Sequence, residues 1–293
     1  MRDIDYKVAE ADDGRKISHV VKGRIGISHG LFASIKMCGC IMLNSAPVMA
    51  NHLVHTGDTI TIRLRDDDPE IIPPDEGPVN IVYMDEDIMI IDKQAPLACQ
   101  RSPRQPPNAL ENRLAHRFAG EAFVFRPVNR LDKGTSGLMM AALHPHAQKV
   151  MQAALHTPDF EREYLAILCG ILSPISGTIA APIGKAEGAT ICRVVVPDGK
   201  PSITHYETIR AHGGLSLVRL RLETGRTHQI RVHAAHMGCP VLGDFLYGTE
   251  DARLPGRFAL HSAAIRFKHP INGDAMAFTS QLPESLNLIR YNG

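Results

Sequence analysis

Residues 127–143 read PVNRLDKGTSGLMMAAL. The last six of them form a short apolar run, which directly behind a glycine is typical of a buried strand. Asp132 stands in the glycine-containing turn before that run, so the segment predicts a carboxylate at the edge of a sheet. Glycine allows another backbone to come close at such a turn. An Asp there also stabilises turns, so a structural and a chemical role are both open for Asp132.

Strand-like runs dominate on both sides of this segment, and helical patterns are few. The predicted strands are 79–83, 88–92, 137–143, 164–169, 190–196, 204–209, 215–222 and 259–267, and the predicted helices are 108–118, 145–155 and 228–237. Because strands and helices do not alternate regularly, the sequence predicts an α+β fold. We expect a mixed, mainly antiparallel sheet rather than a doubly wound one.

An acidic, proline-rich segment divides the chain. Residues 66–78 read DDDPEIIPPDEGP and contain no Lys or Arg. Such a segment has no apolar face to bury, so it predicts an extended linker. The linker separates a small N-terminal module, residues 1–65, from a main body at 79–293, and a length of 293 residues agrees with two domains.

The cysteines and the apolar runs indicate a cytoplasmic protein. Six cysteines without a C-x-x-C pair are too few for a disulfide framework, so free thiols in a reducing compartment are expected. Cys38 and Cys40 are too close together for a zinc knuckle. The first residues, MRDIDYKVAEADDGRK, lack the apolar core of a secretory signal, and no run approaches the ~20 apolar residues that span a bilayer. We expect no membrane contact.

Two further segments place polar groups beside apolar ones. Residues 225–236, GRTHQIRVHAAH, predict a helix that carries three histidines. His228 and His233 are five residues apart and no H-E-x-x-H glutamate accompanies them, which disfavours a zinc hydrolase built on these two and His236. In FEREYLAIL, Tyr164 begins an apolar strand, a position where Tyr is most often part of a core.

In the N-terminal module, two short helical patterns precede short strands. Residues 17–22 predict the first helix, and Ser28 is a candidate N-cap for the second. Strand patterns follow up to Leu64. Over residues 14–65 this order resembles the S4 RNA-binding domain. The resemblance implies RNA contacts at and just before the second helix, from Lys22, Arg24, Ser28, His29 and Lys36.

The three chemical segments occur together and in a specific order. R-L-D-x-x-T-S-G-L at 130–138, Y-L-A at 164–166 and G-R-T-H-Q-I-R-V-H at 225–233 resemble the pseudouridine synthases of the RluA type. The resemblance continues through GCPVLGD at 238–244 and LHS at 260–262, and so covers nearly the whole chain. It implies the pseudouridine synthase catalytic fold behind an S4-like module. It also implies a monomeric RNA-uridine isomerase that needs no metal and no organic cofactor.

The resemblance also implies roles for the motif residues. Asp132 would be the catalytic carboxylate, acting either on the uracil base or on the ribose anomeric carbon. A nucleophile is wanted because the reaction breaks an N-glycosidic bond and remakes it as a C–C bond, so one fragment must be held while the base turns. Arg231 would pair with the ionised carboxylate through its planar fork. Tyr164 would stack on uracil and assist removal of the C5 proton, and Leu260 would pack on the base.

The remaining expected contacts concern RNA binding. Arg130 would either fill the space left by a flipped-out base or contact a phosphate, and both remain open. The resemblance extends substrate contact to Arg226, His228 and Gln229. Charge and loop context suggest phosphate contacts at Arg101, Arg104, Lys185, Arg193, Lys200 and Arg226.

The expected partner is structured RNA, with ribosomal RNA favoured over tRNA. Because RNA shape is read by contacts spread over loops and backbone, no short motif identifies the modified uridine. The alternative interpretation is a non-catalytic RNA-binding factor of ribosome assembly, against which the intact Asp132, Tyr164 and Arg231 argue.

The way charge is distributed along the chain supports RNA binding, although the net charge of the whole chain does not. The chain has 32 Lys and Arg against 31 Asp and Glu, a net charge of +1. Nine of the acids lie within residues 66–87, which contain no Lys or Arg. The rest of the chain therefore holds 32 basic against 22 acidic residues, a net charge of +10. This balance predicts RNA affinity that depends on salt.

Overall fold

The computed structural model describes residues 2–64, 72–102 and 108–288. Residues 66–71 of the predicted linker and the expected phosphate contact Arg104 lie outside these ranges. Residues 72–78 of the linker form no helix or strand. In the described ranges, every helix is too short or too polar to cross a membrane.

The N-terminal residues fold into two helices on a four-stranded antiparallel sheet. In chain order the elements are β1 (Arg2–Lys7), α1 (Ile17–Gly23), α2 (His29–Met37), β2 (Ile41–Leu43), β3 (Ala46–Pro47) and β4 (Thr59–Leu64). The sheet order is β1-β4-β2-β3. The Ser28 hydroxyl accepts a hydrogen bond from the Leu31 N–H at 3.1 Å, which confirms the predicted N-cap. The helices and the sheet enclose their own apolar core, with Ile17, Val21 and Ile60 fully buried.

Fifteen further elements form the main body of the described chain. They are β5 (Asn80–Met84), β6 (Ile88–Lys93), α3 (Leu110–Arg117), β7 (Arg126–Pro127), β8 (Ser136–Ala142), α4 (Pro145–Ala154), β9 (Phe160–Cys169), β10 (Ser176–Ala180), β11 (Ile183–Lys185), β12 (Arg193–Val195), β13 (Ile203–His212), β14 (Leu215–Leu222), α5 (Gln229–His236), β15 (Leu260–Lys268) and β16 (Ala275–Thr279).

One large sheet contains ten of these strands. Its order is β10-β13-β14-β9-β15-β8-β6-β5, with β16 against β15 and β7 against β8. Strands β8 and β15 run parallel, and the other pairs in this sheet are antiparallel. Strands β11 and β12 form a separate hairpin. The predicted mixed, mainly antiparallel sheet with few helices is therefore confirmed.

Several boundaries differ from the prediction. The strand expected at 190–196 is reduced to β12. Strand β9 begins at Phe160, four residues before Tyr164, because Glu161 and Glu163 lie on the more exposed face of the sheet while Arg162 is buried on the other face. Helix α5 begins at Gln229, since His228 has a left-handed φ of 59°. The edge strand β10 was not predicted, because four of its five residues are exposed and its sequence, SGTIA, has no apolar alternation.

The expectation of free thiols is wrong for two of the six cysteines. Cys38 and Cys40 form a disulfide. Gly39, between them, has a φ of 67° and turns the chain so that the two Cα atoms lie 5.4 Å apart. The remaining cysteines, Cys99, Cys169, Cys192 and Cys239, are free.

Three adjacent strands, β8, β9 and β15, place the motif segments next to one another. Gly137 pairs with Ser262 where β8 meets β15, and it has a φ of 103°. A Cβ atom at this position would overlap the backbone of Ser262, so only glycine lets the two strands approach. The loop before β8 is thereby brought to the same end of the sheet as the start of β15.

Candidate active site

Asp132 lies in the loop between β7 and β8, and backbone contacts fix that loop. The Asp132 carbonyl accepts from the Thr135 N–H at 3.0 Å, and the Lys133 carbonyl accepts from the Leu97 N–H at 2.9 Å. The Cys99 thiol donates to the Leu131 carbonyl at 3.1 Å. The carboxylate, 28% exposed, faces a cleft of about 1080 Å³. The loop therefore presents a fixed but accessible carboxylate.

Arg231, in the first turn of α5, connects two carboxylates. Its Nη1 donates to Oδ2 of Asp132 at 3.0 Å. Its Nε and Nη2 donate to the two carboxylate oxygens of Asp244 at 2.6 and 2.8 Å. Asp244 is fully buried and also accepts from the N–H groups of Leu246 and Tyr247. Asp244 belongs to a quoted motif, yet sequence reasoning gave it no role.

Aromatic rings surround the same guanidinium. It lies 4.2 Å from the ring centre of Phe258, 5.0 Å from that of Tyr247 and 6.0 Å from that of Phe245. Burial lowers the pKa of Arg231, but the hydrogen bonds and charge of Asp244 and the charge of Asp132 outweigh this and leave the pKa raised. The side chain is thus a permanent cation held in one orientation.

His228 faces Asp132 from the other side. The Tyr247 hydroxyl accepts from the Arg193 N–H at 2.9 Å and lies 2.8 Å from Nδ1 of His228. Nδ1 of His228 either accepts the hydroxyl proton or donates to the hydroxyl oxygen, according to the ring tautomer. Nε2 lies 3.8 Å from Oδ1 of Asp132. Burial lowers the pKa of His228, so the ring is neutral at neutral pH.

Tyr164 and Leu260 come from neighbouring strands. Tyr164 on β9 lies opposite Ser262 of β15 and is 6% exposed. Burial raises the pKa of Tyr164, so its hydroxyl stays protonated at neutral pH. A small pocket of about 70 Å³ is lined by all the residues that the sequence assigned to catalysis and substrate binding, namely Arg130, Asp132, Tyr164, Arg226, His228, Gln229, Arg231 and Leu260. The structure brings them together, while their individual roles remain predictions.

Gln229 supports the site through the hydrogen bonds of its side chain. Its side-chain oxygen accepts from the Arg226 N–H and from the Thr224 hydroxyl, both at 2.9 Å. Its amide nitrogen donates to the Ile203 carbonyl and the Thr204 hydroxyl, both at 3.0 Å. Gln229 is 3% exposed, so its polar atoms hold the loop before α5.

The histidines of α5 do not form a metal site in this geometry. His233 is buried, and its two ring nitrogens lie 2.9 Å from the Thr204 hydroxyl and from the Ala181 carbonyl. Among the described residues, the group whose donor atoms cluster closely enough for a metal is Asp85, Asp87 and His269. Asp85 and Asp87 precede β6, at the end opposite Lys93. The zinc hydrolase interpretation therefore gains no support.

Other expected RNA contacts lie along two surfaces. Lys185, Arg193, Lys200 and Arg226 line a second groove of about 790 Å³, which meets the first cleft at Gly225 and Arg226. Arg101 lines the first cleft.

In the N-terminal module, two of the expected RNA contacts are engaged within the fold. Arg24 donates to the buried Asp12 at 3.0 Å, and Ser28 caps α2. The Lys22 ammonium lies 5.1 Å from the ring centre of Phe32. His29 and Lys36 are exposed.

Comparison with known proteins gives one family. Residues 87–236 match the family model described as RNA pseudouridylate synthase. The chain is 34% identical to the uncharacterized RNA pseudouridine synthase YjbO of Bacillus subtilis, over 90% of this chain and 95% of that protein. It is 36% identical to ribosomal large subunit pseudouridine synthase D of Vibrio parahaemolyticus, and the match covers 78% of this chain and 75% of that protein. The structure is similar to that of the human protein called RNA pseudouridylate synthase domain containing 1, with a TM-score of 0.58 and 27% sequence identity. The match covers 74% of this chain and 89% of that one.

Proposed function

Since this chain belongs to the RNA pseudouridylate synthase family, we propose that it isomerises specific uridines of ribosomal RNA with Asp132 as its catalytic carboxylate. The chain is an isomerase, an RNA pseudouridine synthase. The observation that carries the proposal for Asp132 is its ion pair with Arg231, whose other nitrogens are bound by Asp244. This pair positions a carboxylate at the wall of a cleft, beside a permanent cation.

Relatives named for ribosomal RNA support the choice of substrate. The Vibrio protein and its counterpart in Xanthomonas campestris, 36% and 35% identical to this chain, are both named ribosomal large subunit pseudouridine synthase D. We therefore favour ribosomal RNA over tRNA. A purely structural role in ribosome assembly is not favoured, because it would leave the Asp132–Arg231 pair without a chemical purpose.

The geometry supports a division of labour around the uridine. Arg231 binds Oδ2 of Asp132, which leaves Oδ1 to attack either the base or the anomeric carbon of the ribose. Attack forms a bond between Oδ1 and one fragment, and the N-glycosidic bond breaks. The base turns, C5 forms the new bond to the ribose carbon, and the bond to Asp132 breaks, which restores the carboxylate. The C5 proton is then lost and N1 gains a proton, so the product is an isomer of the substrate.

Tyr164 and Leu260 line the pocket where the base would lie. The neutral phenol ring of Tyr164 is suited to stacking on uracil. Because its hydroxyl stays protonated, it assists departure of the C5 proton by hydrogen bonding or proton relay and not as an anionic base. Arg130 is exposed at the rim of the cleft, where it can enter the stack in place of an extruded base. Extrusion costs a few kcal/mol of unstacking, and such an insertion offsets part of it.

The N-terminal module completes the proposal. Its helix–helix–strand order and its separate core support an S4-like RNA-binding domain. In this assignment, exposed His29 and Lys36 contact RNA, while Arg24 and Ser28 stabilise the module. We further propose that the enzyme acts as a cytoplasmic monomer without a metal.

The reaction itself gives a direct test. Isomerisation releases the hydrogen on C5 of uridine, so unmodified ribosomal RNA labelled with tritium at that carbon should lose label to water when the purified protein is added. The Asp132→Asn variant should release none. Absence of release by the wild-type protein from both ribosomal RNA and tRNA would contradict the proposed function.

A further inference from the structure

Arg162 is a buried cation without a carboxylate partner in the described structure. It is 5% exposed, and its Nε atom has no hydrogen-bond partner. Its Nη2 donates to the carbonyl of Leu155 at 3.1 Å, at the end of α4. Burying an arginine without an anion is costly, and burial lowers the pKa of Arg162. Such a group is expected to gain an anion from a ligand.

Arg162 faces the catalytic cleft. It precedes Tyr164 by two residues on β9, so both side chains project from the same face of the sheet, ~7 Å apart along the strand. Both line the cleft that contains Asp132. The neighbouring Glu161 and Glu163 point to the other face, where they pair with arginines of the adjacent strands.

Two further basic groups converge on the same place. Gly225 is so close to Arg162 that a Cβ atom there would lie 2.7 Å from Nη1, and 3.4 Å from a ring carbon of His156. Arg226 follows directly and lines the same cleft. The pKa of His156 is lowered, first by burial and then by the positive charges of Arg162 and Arg226. The field at Gly225 is therefore positive.

We propose that Arg162, with Arg226 and His156 around Gly225, forms a phosphate site for the RNA backbone beside the reacting uridine. The inference rests on the proposed function and deepens it. A uridine whose base reaches Asp132 brings its own phosphates into this cleft. A guanidinium with unused donors suits a phosphate, because it offers several N–H groups in a plane. Because Gly225 has no side chain, the Arg162 guanidinium can lie against the backbone there, next to Arg226.

The first test uses inorganic phosphate as the probe and needs no RNA. Thermal unfolding is measured in sodium phosphate and in sodium chloride of equal ionic strength. Phosphate should raise the Tm of the wild-type protein, because an anion that binds only the folded state stabilises it. Arg162→Gln should abolish this rise. Arg117→Gln, at an exposed arginine outside the cleft, is the matched control and should keep it.

Two variants keep the test valid if Arg162→Gln does not fold. Arg162→Lys keeps the charge but loses the fork, so the phosphate effect should be reduced. Gly225→Ala leaves every basic group in place and displaces the Arg162 guanidinium, so it should reduce the effect as well. An equal phosphate effect in the wild type and in all three site variants would overturn the proposal, as would no phosphate effect in the wild type.

A second readout uses a uridine dodecamer as the single-stranded probe. Loss of one phosphate contact lowers the slope of log K against log salt by about 0.7 for single strands. Arg162→Gln should show this decrease and Arg117→Gln should not. An unchanged slope for Arg162→Gln would contradict the site. Tritium release by the wild-type protein is scored separately, so failure of the proposed function and failure of the phosphate site give different results.

Discussion

Asp244 binds the guanidinium of Arg231 through two hydrogen bonds, of 2.6 and 2.8 Å, and is fully buried beneath it. A residue so placed does not touch the substrate. It acts by fixing the direction of Nη1, the one nitrogen that Arg231 offers to Asp132. The carboxylate that we propose as catalytic is thus oriented by an acid that lies on the far side of its cationic partner.

Asp244→Asn should lower both stability and activity. The substitution keeps the shape but leaves Arg231 as a buried cation without its main counter-charge, and removing one partner of a buried pair costs ~3–5 kcal/mol. Urea unfolding and tritium release measure the two effects. Asp251→Asn is the matched control, since Asp251 pairs with the half-exposed Arg253, and it should cost at most ~1 kcal/mol. Equal unfolding midpoints with full activity for both variants would refute the role of Asp244.

Tyr164→Phe should separate binding from chemistry. The ring and its stacking surface remain, so RNA affinity should change little, whereas loss of the hydroxyl should lower kcat by about 100-fold or more, within the range for a proton-transfer group. Because burial raises the pKa of Tyr164 above its ordinary value of 10.0, ionisation of this hydroxyl should not shape the rate at neutral pH. Single-turnover rates and RNA affinities measured side by side test this. If the variant has the same single-turnover rate as the wild type, the hydroxyl has no role in the chemistry and Tyr164 acts by stacking alone.

Lys93 should make stability rise with pH in the alkaline range. It is 1% exposed, donates to the carbonyls of Gln94 and Leu97, and burial lowers its pKa from 10.5 to about 8. Between these two values the unfolded chain binds more protons than the folded one, so the contribution of this group to stability increases with pH. The increase is at most ~3.5 kcal/mol, at ~1.4 kcal/mol for each pKa unit.

The difference between the wild type and Lys93→Met isolates that contribution. Urea unfolding at pH values on either side of this window should show the wild type gaining stability relative to the variant as pH rises. A constant difference would show that Lys93 titrates in the folded protein as it does in the unfolded chain.

Two basic residues of the N-terminal module should respond differently to removal. Lys36→Ala should weaken RNA binding and leave the Tm unchanged, because Lys36 is exposed. Arg24→Ala should lower the Tm, since it leaves the carboxylate of Asp12 with fewer partners. Thermal unfolding and affinity for ribosomal RNA distinguish the two. If Lys36→Ala binds RNA as tightly as the wild type does, the result would contradict the proposed RNA contact of the S4-like module at Lys36.

The sequence motifs located the pocket but not the groups that support it. Asp132, Tyr164 and Arg231 stand in segments whose order is distinctive, and the mixed sheet follows from the spacing of apolar runs. Asp244 was missed because its partner lies 13 residues away and only the fold brings the two together. Arg162 was given no role, because the charges around it suggest a loop before the strand. Periodicity does not reveal that its two acidic neighbours face outward while it faces inward.

The most direct test of the account maps pseudouridine across cellular RNA in a strain that lacks this gene. The strain is rescued with the wild-type protein or with Asp132→Asn, which is nearly isosteric and should fold. We predict that deletion removes pseudouridine from at least one position of ribosomal RNA, that the wild type restores it, and that Asp132→Asn does not. Restoration of every lost position by Asp132→Asn, or no lost position on deletion, would contradict the central claim.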